Sequence, residues 1–223
     1  MAKQRAFPYL LTLFLFTVFT IQTSLAQDHQ HERRERYNPQ SFERDNRAEW
    51  QNVDAVIKAF GLKESQTIAD IGGGSGYFSR PFAKKVGPEG VVYCCDLATN
   101  LLEYLQDKAK EEGLHNIVTV YAAMDRPMLP PNSVDHIFFC NTNHHLSNRV
   151  EYYKKLKPLL KPGGQVVVVD WKSKKQKVGP PPGHSQPKSV VIDEFRQAGW
   201  KVEKDIKDVL EYQNFLIFVP SKR

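Results

Sequence analysis

Ile68-Ala69-Asp70-Ile71-Gly72-Gly73-Gly74-Ser75-Gly76-Tyr77 carries apolar residues into an acid, then into four glycines, then into a helical pattern. That order predicts a strand, a tight turn and a helix start within a few residues. Glycine tolerates positive φ and lets a ligand approach the backbone with no Cβ in the way. At the end of a parallel strand, such a loop forms the floor of a nucleotide-type site.

Working outward, strand and helix patterns alternate on the C-terminal side. Thr67–Ile71 reads as the first strand, followed by a helix over Tyr77–Val86 with Phe78, Phe82 and Ala83 inward. Gly87-Pro88-Glu89-Gly90 is a turn. Val91–Asp96, Ile117–Tyr121 and Val134–Cys140 read as strands, with helices over Leu101–Glu112 and Val150–Leu160. Lys161-Pro162-Gly163-Gly164 is a turn before Gln165–Asp170, apolar enough for a central parallel strand. Lys172 to Pro187 is a loop rich in Lys, Gly and Pro. A helix over Val190–Ala198 and two strands, Trp200–Asp205 and Asn214–Val219, follow it. Upstream, Trp50, Val53, Val56, Ile57 and Phe60 fall on one face of a helix that Gly61 ends. Repeated βα units predict an α/β fold, a Rossmann-like doubly wound sheet, mostly parallel with an antiparallel C-terminal edge strand.

The spacing of the glycines narrows the ligand. A dinucleotide fold wants G-x-G-x-x-G. Counted from Gly72 the sixth position is Tyr77, and from Gly74 it is Ser79, so the pattern fails in both registers. No lysine completes a P-loop. What fits is acid-x-G-x-G-x-G, filled by Asp70, Gly72, Gly74 and Gly76.

Composition is that of a globular chain: 223 residues, 41% hydrophobic and 25% charged, with net charge +6. Met1 to Ala26 reads as a secretory signal: Lys3 and Arg5, an apolar run from Leu10 to Ile21, then Ser24-Leu25-Ala26 for cleavage. The alternative is an uncleaved signal that anchors the chain in a membrane. Cleavage after Ala26 removes Lys3 and Arg5 and no acid, lowering the net charge from +6 to +4, with no stable membrane span left. That charge does not point to nucleic acid. Residues 27–47 form a polar, solvated lead-in holding His29 and His31, and residues 48–223 form a single domain. Cys94, Cys95 and Cys140 have no metal-ligand spacing, so no metal site is expected and buried packing roles are.

The glycine segment resembles motif I of the class I S-adenosylmethionine-dependent methyltransferases. Asp96 ends the second strand where that family has a ribose-binding acid. Met124-Asp125-Arg126-Pro127 and its run to Asp135 resemble the adenine-side loop, and Leu160-Lys161-Pro162-Gly163-Gly164 the turn before strand five. Asn141-Thr142-Asn143-His144-His145-Leu146 resembles the ubiquinone-biosynthesis and arsenite methyltransferase-like branch (methyltransferase type 11). The resemblance implies S-adenosyl-L-methionine as cofactor. Asp70 would hold its methionine end, with Gly72, Gly74 and Gly76 close beneath. Asp96 would take the ribose hydroxyls, Met124 and Asp125 would flank the adenine, and Asn141 would sit beside the methionine moiety. Ala123 stands where many relatives have an acid.

The implied reaction is direct in-line methyl transfer to a small-molecule acceptor. The cofactor carries the activated methyl, so the protein supplies alignment, and a base only where the acceptor is protonated. His144 and His184, at or after strand ends, are the catalytic candidates; His145 reads as a packing residue. Tyr37 and Trp50 are candidates to cover a ligand, as is the stiff loop Gly179–His184. Two other classes stay open: an exported, non-catalytic cofactor-fold protein, and a nicotinamide-dependent oxidoreductase, against which the missing third glycine counts. An exported methyltransferase would need cofactor delivered where it works.

Overall fold

The computed structural model describes residues 37–44 and 46–221. The expected signal segment 1–26, and His29 and His31, lie outside the described residues. Seven strands form one sheet in the order β3-β2-β1-β4-β5-β7-β6. They are β1 (Thr67–Ile71), β2 (Val91–Asp96), β3 (Ile117–Tyr121), β4 (Val134–Cys140), β5 (Leu160–Trp171), β6 (Trp200–Ile206) and β7 (Gln213–Pro220). The first four fall on their expected bounds. Six α-helices are described: α1 (Arg47–Gln51), α2 (Val53–Phe60), α3 (Ser79–Val86), α4 (Thr99–Glu111), α5 (Arg149–Leu156) and α6 (Lys188–Gln197). Among the described residues no helix is long and apolar enough to cross a membrane.

The sheet is parallel from β3 to β5. β7 runs antiparallel to both β5 and β6, so it inserts between them and β6 forms the edge. The Pro162-Gly163-Gly164 turn is absorbed into β5 as an irregularity, where pairing jumps from Val134–Leu160 to His136–Gln165. Gly163 has φ 82°, a conformation that bends the strand without a Cβ penalty.

Both faces of the central strands are buried, as a doubly wound sheet requires. Ile137 and Phe139 of β4, Val166 and Val168 of β5, and Leu216 and Phe218 of β7 join one core with Tyr153 and Leu156 of α5 and Phe195 of α6. The alternate residues Phe138, Val167, Val169, Phe215 and Ile217 join the opposite core with α2 and α3. Side chains alternate across a strand, so near-continuous apolar runs supply both layers. In the first core Phe195 stacks between Tyr153 and Phe218, with ring centroids 3.8 and 3.9 Å away.

The helix expected to run from Trp50 to Phe60 is two helices. Asn52 adopts the left-handed conformation (φ 40°), ends α1 and caps α2 by accepting from the Ala55 amide at 3.3 Å. Asparagine tolerates that conformation and is a strong N-cap, so the apolar spacing continues across a break. Gly61 ends α2 as expected, at φ 78°.

Strand order reverses between β1 and β4: β2 and β3 lie to one side of β1, and β5 lies beyond β4. A crevice opens there at the carboxyl ends of the strands. The glycine loop after β1 and Asn141–Thr142 after β4 face each other across it: Thr142 Oγ1 donates to the Gly72 carbonyl at 3.2 Å.

Candidate functional site

Two glycines define how tightly the loop is packed. Gly72 has φ 66°, and a Cβ there would lie 2.2 Å from Thr142 Cγ2. Gly76 has φ 82°, and its Cβ would lie 2.1 Å from Leu105 Cδ1 on α4. Each therefore combines a left-handed backbone with a close neighbour, and no other residue fits without movement. The Gly72 amide donates to the Cys95 carbonyl at 2.7 Å, binding the loop to the end of β2.

Two cavities flank the loop. The larger, about 430 Å³, is lined by Asp70, Arg47, Tyr77, Trp50, Trp171 and Pro180 among others. The smaller, about 220 Å³, is lined by Asp96, Leu97, Leu101, Ala122, Met124 and Tyr37 among others. Phe42, Gly72, Gly74, Asn141 and Thr142 line both.

Asp70 is 2% exposed and accepts from the Ser79 hydroxyl at 2.7 Å. Burial pushes its pKa up to about 7, against the lowering effect of the Ser79 bond. Asp96 accepts from the Gly74 amide and the Ala98 amide, both at 2.9 Å. Burial raises its pKa and these backbone donors oppose the rise. A carboxylate has about four lone-pair sites, so two amides leave room for hydroxyl donors. Asn141 sits at φ 54°, and its Oδ1 accepts from Gln213 Nε2 at 2.6 Å.

The crevice thus gathers Asp70, Gly72, Gly74, Asp96, Met124 and Asn141. Gly76 lines neither cavity; its part is to let α4 approach. Asp125 lines neither cavity: Lys155 Nζ donates to it at 2.5 Å and holds its carboxyl below the usual range. Ala122, Ala123 and Met124 line the smaller cavity in its place. Cys94 and Cys95 are buried, as their strand positions imply. Cys140 lines the larger cavity, accepts from Gln51 Nε2 at 3.2 Å, and has its thiol pushed up to about 12 by burial.

His144 Nδ1 lies 2.7 Å from Asp170 Oδ1, and the His144 amide donates to Asp170 Oδ2 at 3.0 Å. His145 and His184 close on the same point, with ring centroids 4.1 and 4.7 Å from that of His144. His145, expected to be a packing residue, lines the smaller cavity and is exposed. Partial desolvation of its ring against the cavity wall lowers its pKa, helped by His144 and His184.

The lead-in was expected to be solvated as far as Arg47. From Tyr37 onward it packs on the site instead. Ser75 Oγ donates to Glu43 at 2.6 Å, Asn100 Nδ2 to the Tyr37 carbonyl at 2.7 Å, and Arg47 Nη1 to the Phe42 carbonyl at 2.8 Å. The Arg47 guanidinium lies over the Tyr77 ring, 3.8 Å from its centroid. Trp50 and Trp171 meet at 5.0 Å and wall the larger cavity. Charge-mixed sequence carries no periodic signal for such docking, so the sequence alone does not mark Arg47 or Glu43.

The fold and crevice define a Rossmann-like protein with a cofactor-type site at the carboxyl edge of its sheet. The family model for a methyltransferase domain matches residues 68–164. A solved S-adenosylmethionine-dependent methyltransferase from Aquifex aeolicus is 30% identical, covers 82% of this chain and 98% of its own, and superposes with a TM-score of 0.77. The chain belongs to the S-adenosylmethionine-dependent methyltransferase family. It is also 28% identical over 117 residues to the ubiquinone/menaquinone biosynthesis C-methyltransferase of Pseudomonas paraeruginosa, covering 52% of this chain and 46% of the relative. The demethylmenaquinone methyltransferase of Listeria welshimeri is 28% identical over 116 residues, covering 52% and 49%. The chain spans about half the length of these curated relatives.

Proposed function

We propose that this chain binds S-adenosylmethionine across both cavities and transfers its methyl group to a small-molecule acceptor in the larger one. The observation that carries this reading is the pair of acids on opposite sides of one glycine loop, Asp70 in the larger cavity and Asp96 in the smaller. Their chemistry fits the two ends of the cofactor: a buried acid with a raised pKa accommodates an ammonium, and one with spare lone pairs accepts ribose hydroxyls. When bound, S-adenosylmethionine supplies a methyl group already activated on a sulfonium.

The residues of this chain then have separable tasks. Asp96 and the Ala122–Met124 side of the smaller cavity hold the adenosine. Asp70 faces the ammonium, and Arg47 offers a guanidinium to the carboxylate at the same end. Asn141 and Thr142, lining both cavities, set the height of the reacting centre above Gly72. Trp50, Trp171 and Pro180 exclude water and shape the acceptor's space, which fixes the approach line that a displacement needs. Of the lysines from Lys172 to Lys177, Lys172 donates its Nζ to the Leu210 and Glu211 carbonyls, so it is held by the fold. Residues 1–26 are read as an export signal, which places the protein in the periplasm or outside the cell; fractionation with N-terminal sequencing tests this, and a cytosolic protein starting at Met1 refutes it.

Calorimetry of S-adenosylhomocysteine and NADH against the purified chain tests the cofactor. Binding of the first, weakened by Asp96→Ala, is expected. A folded protein that binds neither removes the methyltransferase reading, and one that binds only NADH replaces it. Transfer of labelled methyl to a panel of thiols, phenols, quinols and amines separates an enzyme from a non-catalytic binder.

A further inference from the structure

Three histidines gather beside the crevice: His145 lines the smaller cavity, and His144 and His184 line neither cavity. Their ligand nitrogens all lie within 4.8 Å of one another. His144 and His145 come from the turn after β4, and His184 from the loop after β5. Three imidazoles meeting from two separate segments is an expensive way to make one general base, since a single histidine suffices. It is the donor set of an N₃ metal centre.

His144 carries the second feature such centres have. Its side chain is 3% exposed, and its Nδ1 lies 2.7 Å from the Asp170 carboxylate, whose side chain is 8% exposed. A carboxylate only accepts, so Nδ1 donates to Asp170 and Nε2 is the ring nitrogen left to meet a ligand. Asp170 is itself fixed by the amides of His144 at 3.0 Å and Trp171 at 2.8 Å. A buried carboxylate that orients a histidine and raises its basicity is the usual outer-shell partner of a ligating imidazole.

The loop carrying His184 can make the remaining adjustment. Zn–N bonds of about 2.0–2.1 Å in a tetrahedron place ligand nitrogens about 3.3 Å apart. Nitrogens already within 4.8 Å of one another need only a small closure to reach that spacing, and Gly183 beside His184 has φ 83° with open space around its Cβ position. No metal spacing is visible in the sequence because two ligands are neighbours and the third joins them only through the fold.

We propose that His144, His145 and His184 bind a divalent transition-metal ion of the zinc class, with Asp170 as the outer-shell carboxylate of His144. Three nitrogens leave at least one coordination position free. His145 also lines the smaller cavity, and Gly179–Pro180, on the same loop as His184, line the larger. Metal binding therefore ties that loop down beside the crevice and presents a Lewis acid there. An acceptor hydroxyl or thiol bound to it would give its proton to solvent before its oxygen or sulfur takes the methyl group and the sulfonium S–C bond breaks. That step needs no oxidant or reductant.

The site stands apart from the cofactor reading and is tested without turnover. Zn²⁺ is titrated calorimetrically into tag-free full-length chain, with Co²⁺ absorption reporting coordination and S-adenosylhomocysteine titrated into the same samples. One Zn²⁺ site is expected, retained when His29 and His31 are both replaced by alanine. It is weakened about 10–100-fold by Asp170→Asn, as loss of an outer-shell partner is, and by at least as much in His145→Ala and His184→Ala. The last two changes are at exposed positions and leave the core intact. Absence of Zn²⁺ binding, binding lost with His29 and His31, or binding unchanged in His184→Ala overturns the proposal. If S-adenosylhomocysteine still binds in that case, the cofactor reading survives it; if Zn²⁺ binds and S-adenosylhomocysteine does not, the reverse holds.

Discussion

Glu43 accepts a 2.6 Å hydrogen bond from the hydroxyl of Ser75, a residue with no exposed surface in the middle of the glycine loop. The same carboxylate pairs with Arg80 of α3, which also reaches Glu112 at 2.5 Å. One acid from the segment before α1 thus fastens that segment onto the loop and onto the helix that follows it. The Glu43→Gln substitution keeps the shape and removes the charge. It should cost about 1–3 kcal/mol, the range for a hydrogen bond to a charged partner whose mate stays buried. Denaturant unfolding measures the loss, and limited proteolysis should cut sooner near residues 37–47. Unchanged stability and cleavage would mean that the segment rests on the site without holding it.

Arg47 and Asp70 share the larger cavity, and both act on the amino-acid end of the bound cofactor in the proposed arrangement. S-adenosylhomocysteine has that end and 5′-methylthioadenosine lacks it. Arg47→Ala should therefore weaken S-adenosylhomocysteine by about 10–100-fold, the worth of one charge-assisted hydrogen bond. It should leave 5′-methylthioadenosine unchanged within error. Asp96→Ala should weaken both, since both carry the ribose. Equal losses for the two ligands in Arg47→Ala would place the guanidinium elsewhere or show a general disturbance of the loop.

The raised pKa of Asp70 makes cofactor affinity depend on pH in a stated direction. Burial puts it at about 7, so below that value the free protein holds this carboxyl largely protonated. A ligand ammonium favours the ionised form and lowers the pKa in the complex. Binding then releases a proton, and affinity falls by up to tenfold per pH unit as pH drops below about 7. Calorimetry of S-adenosylhomocysteine between pH 5.5 and 8, in buffers of different ionisation heat, reads both the slope and the proton released. Asp70→Asn should flatten the slope. A flat profile in the unmodified protein would remove Asp70 from the ammonium site.

Much of the sheet was legible because its signal is local. Val166–Val169 and Phe138–Phe139 are continuous apolar runs, and continuous runs imply strands buried on both faces. The acid-x-G-x-G-x-G spacing located the crevice, since Gly72 and Gly76 each meet a neighbour that no Cβ could pass. What escaped reading depends on tertiary contact or on one residue's conformation. Asn52 breaks a periodic helix by adopting a left-handed φ that periodicity does not encode. Asp125 has the right type and place for an adenine-side acid, yet Lys155 from α5 takes it. Glu43 and Arg47 sit in charge-mixed sequence whose role is set by what it touches. The histidine cluster is assembled by two loops that only the strand order brings together.

His136 gives the fold a titration of its own, away from the crevice. It is 6% exposed at the start of β4, 2.9 Å from Gln66 Oε1 and 3.2 Å from Gln165 Nε2, with Phe60 packed edge-on at 5.4 Å. Burial pushes its pKa down to about 4; the neighbouring Asp135 opposes this and Lys63 adds to it. In the unfolded chain the ring titrates at its ordinary value of about 6.5. Between these values the unfolded state binds the extra proton, so stability rises with pH there. The contribution is complete above about pH 6.5, declines as pH falls, and levels off below about pH 4. The full drop is of order 3 kcal/mol at about 1.4 kcal/mol per pKa unit. Urea unfolding of the unmodified protein and of His136→Gln between pH 4 and 7.5 isolates it, because glutamine keeps hydrogen bonding without titrating. The variant should lose less stability than the unmodified protein across that window, and parallel curves would show that His136 ionises in the folded state much as it does in the unfolded chain.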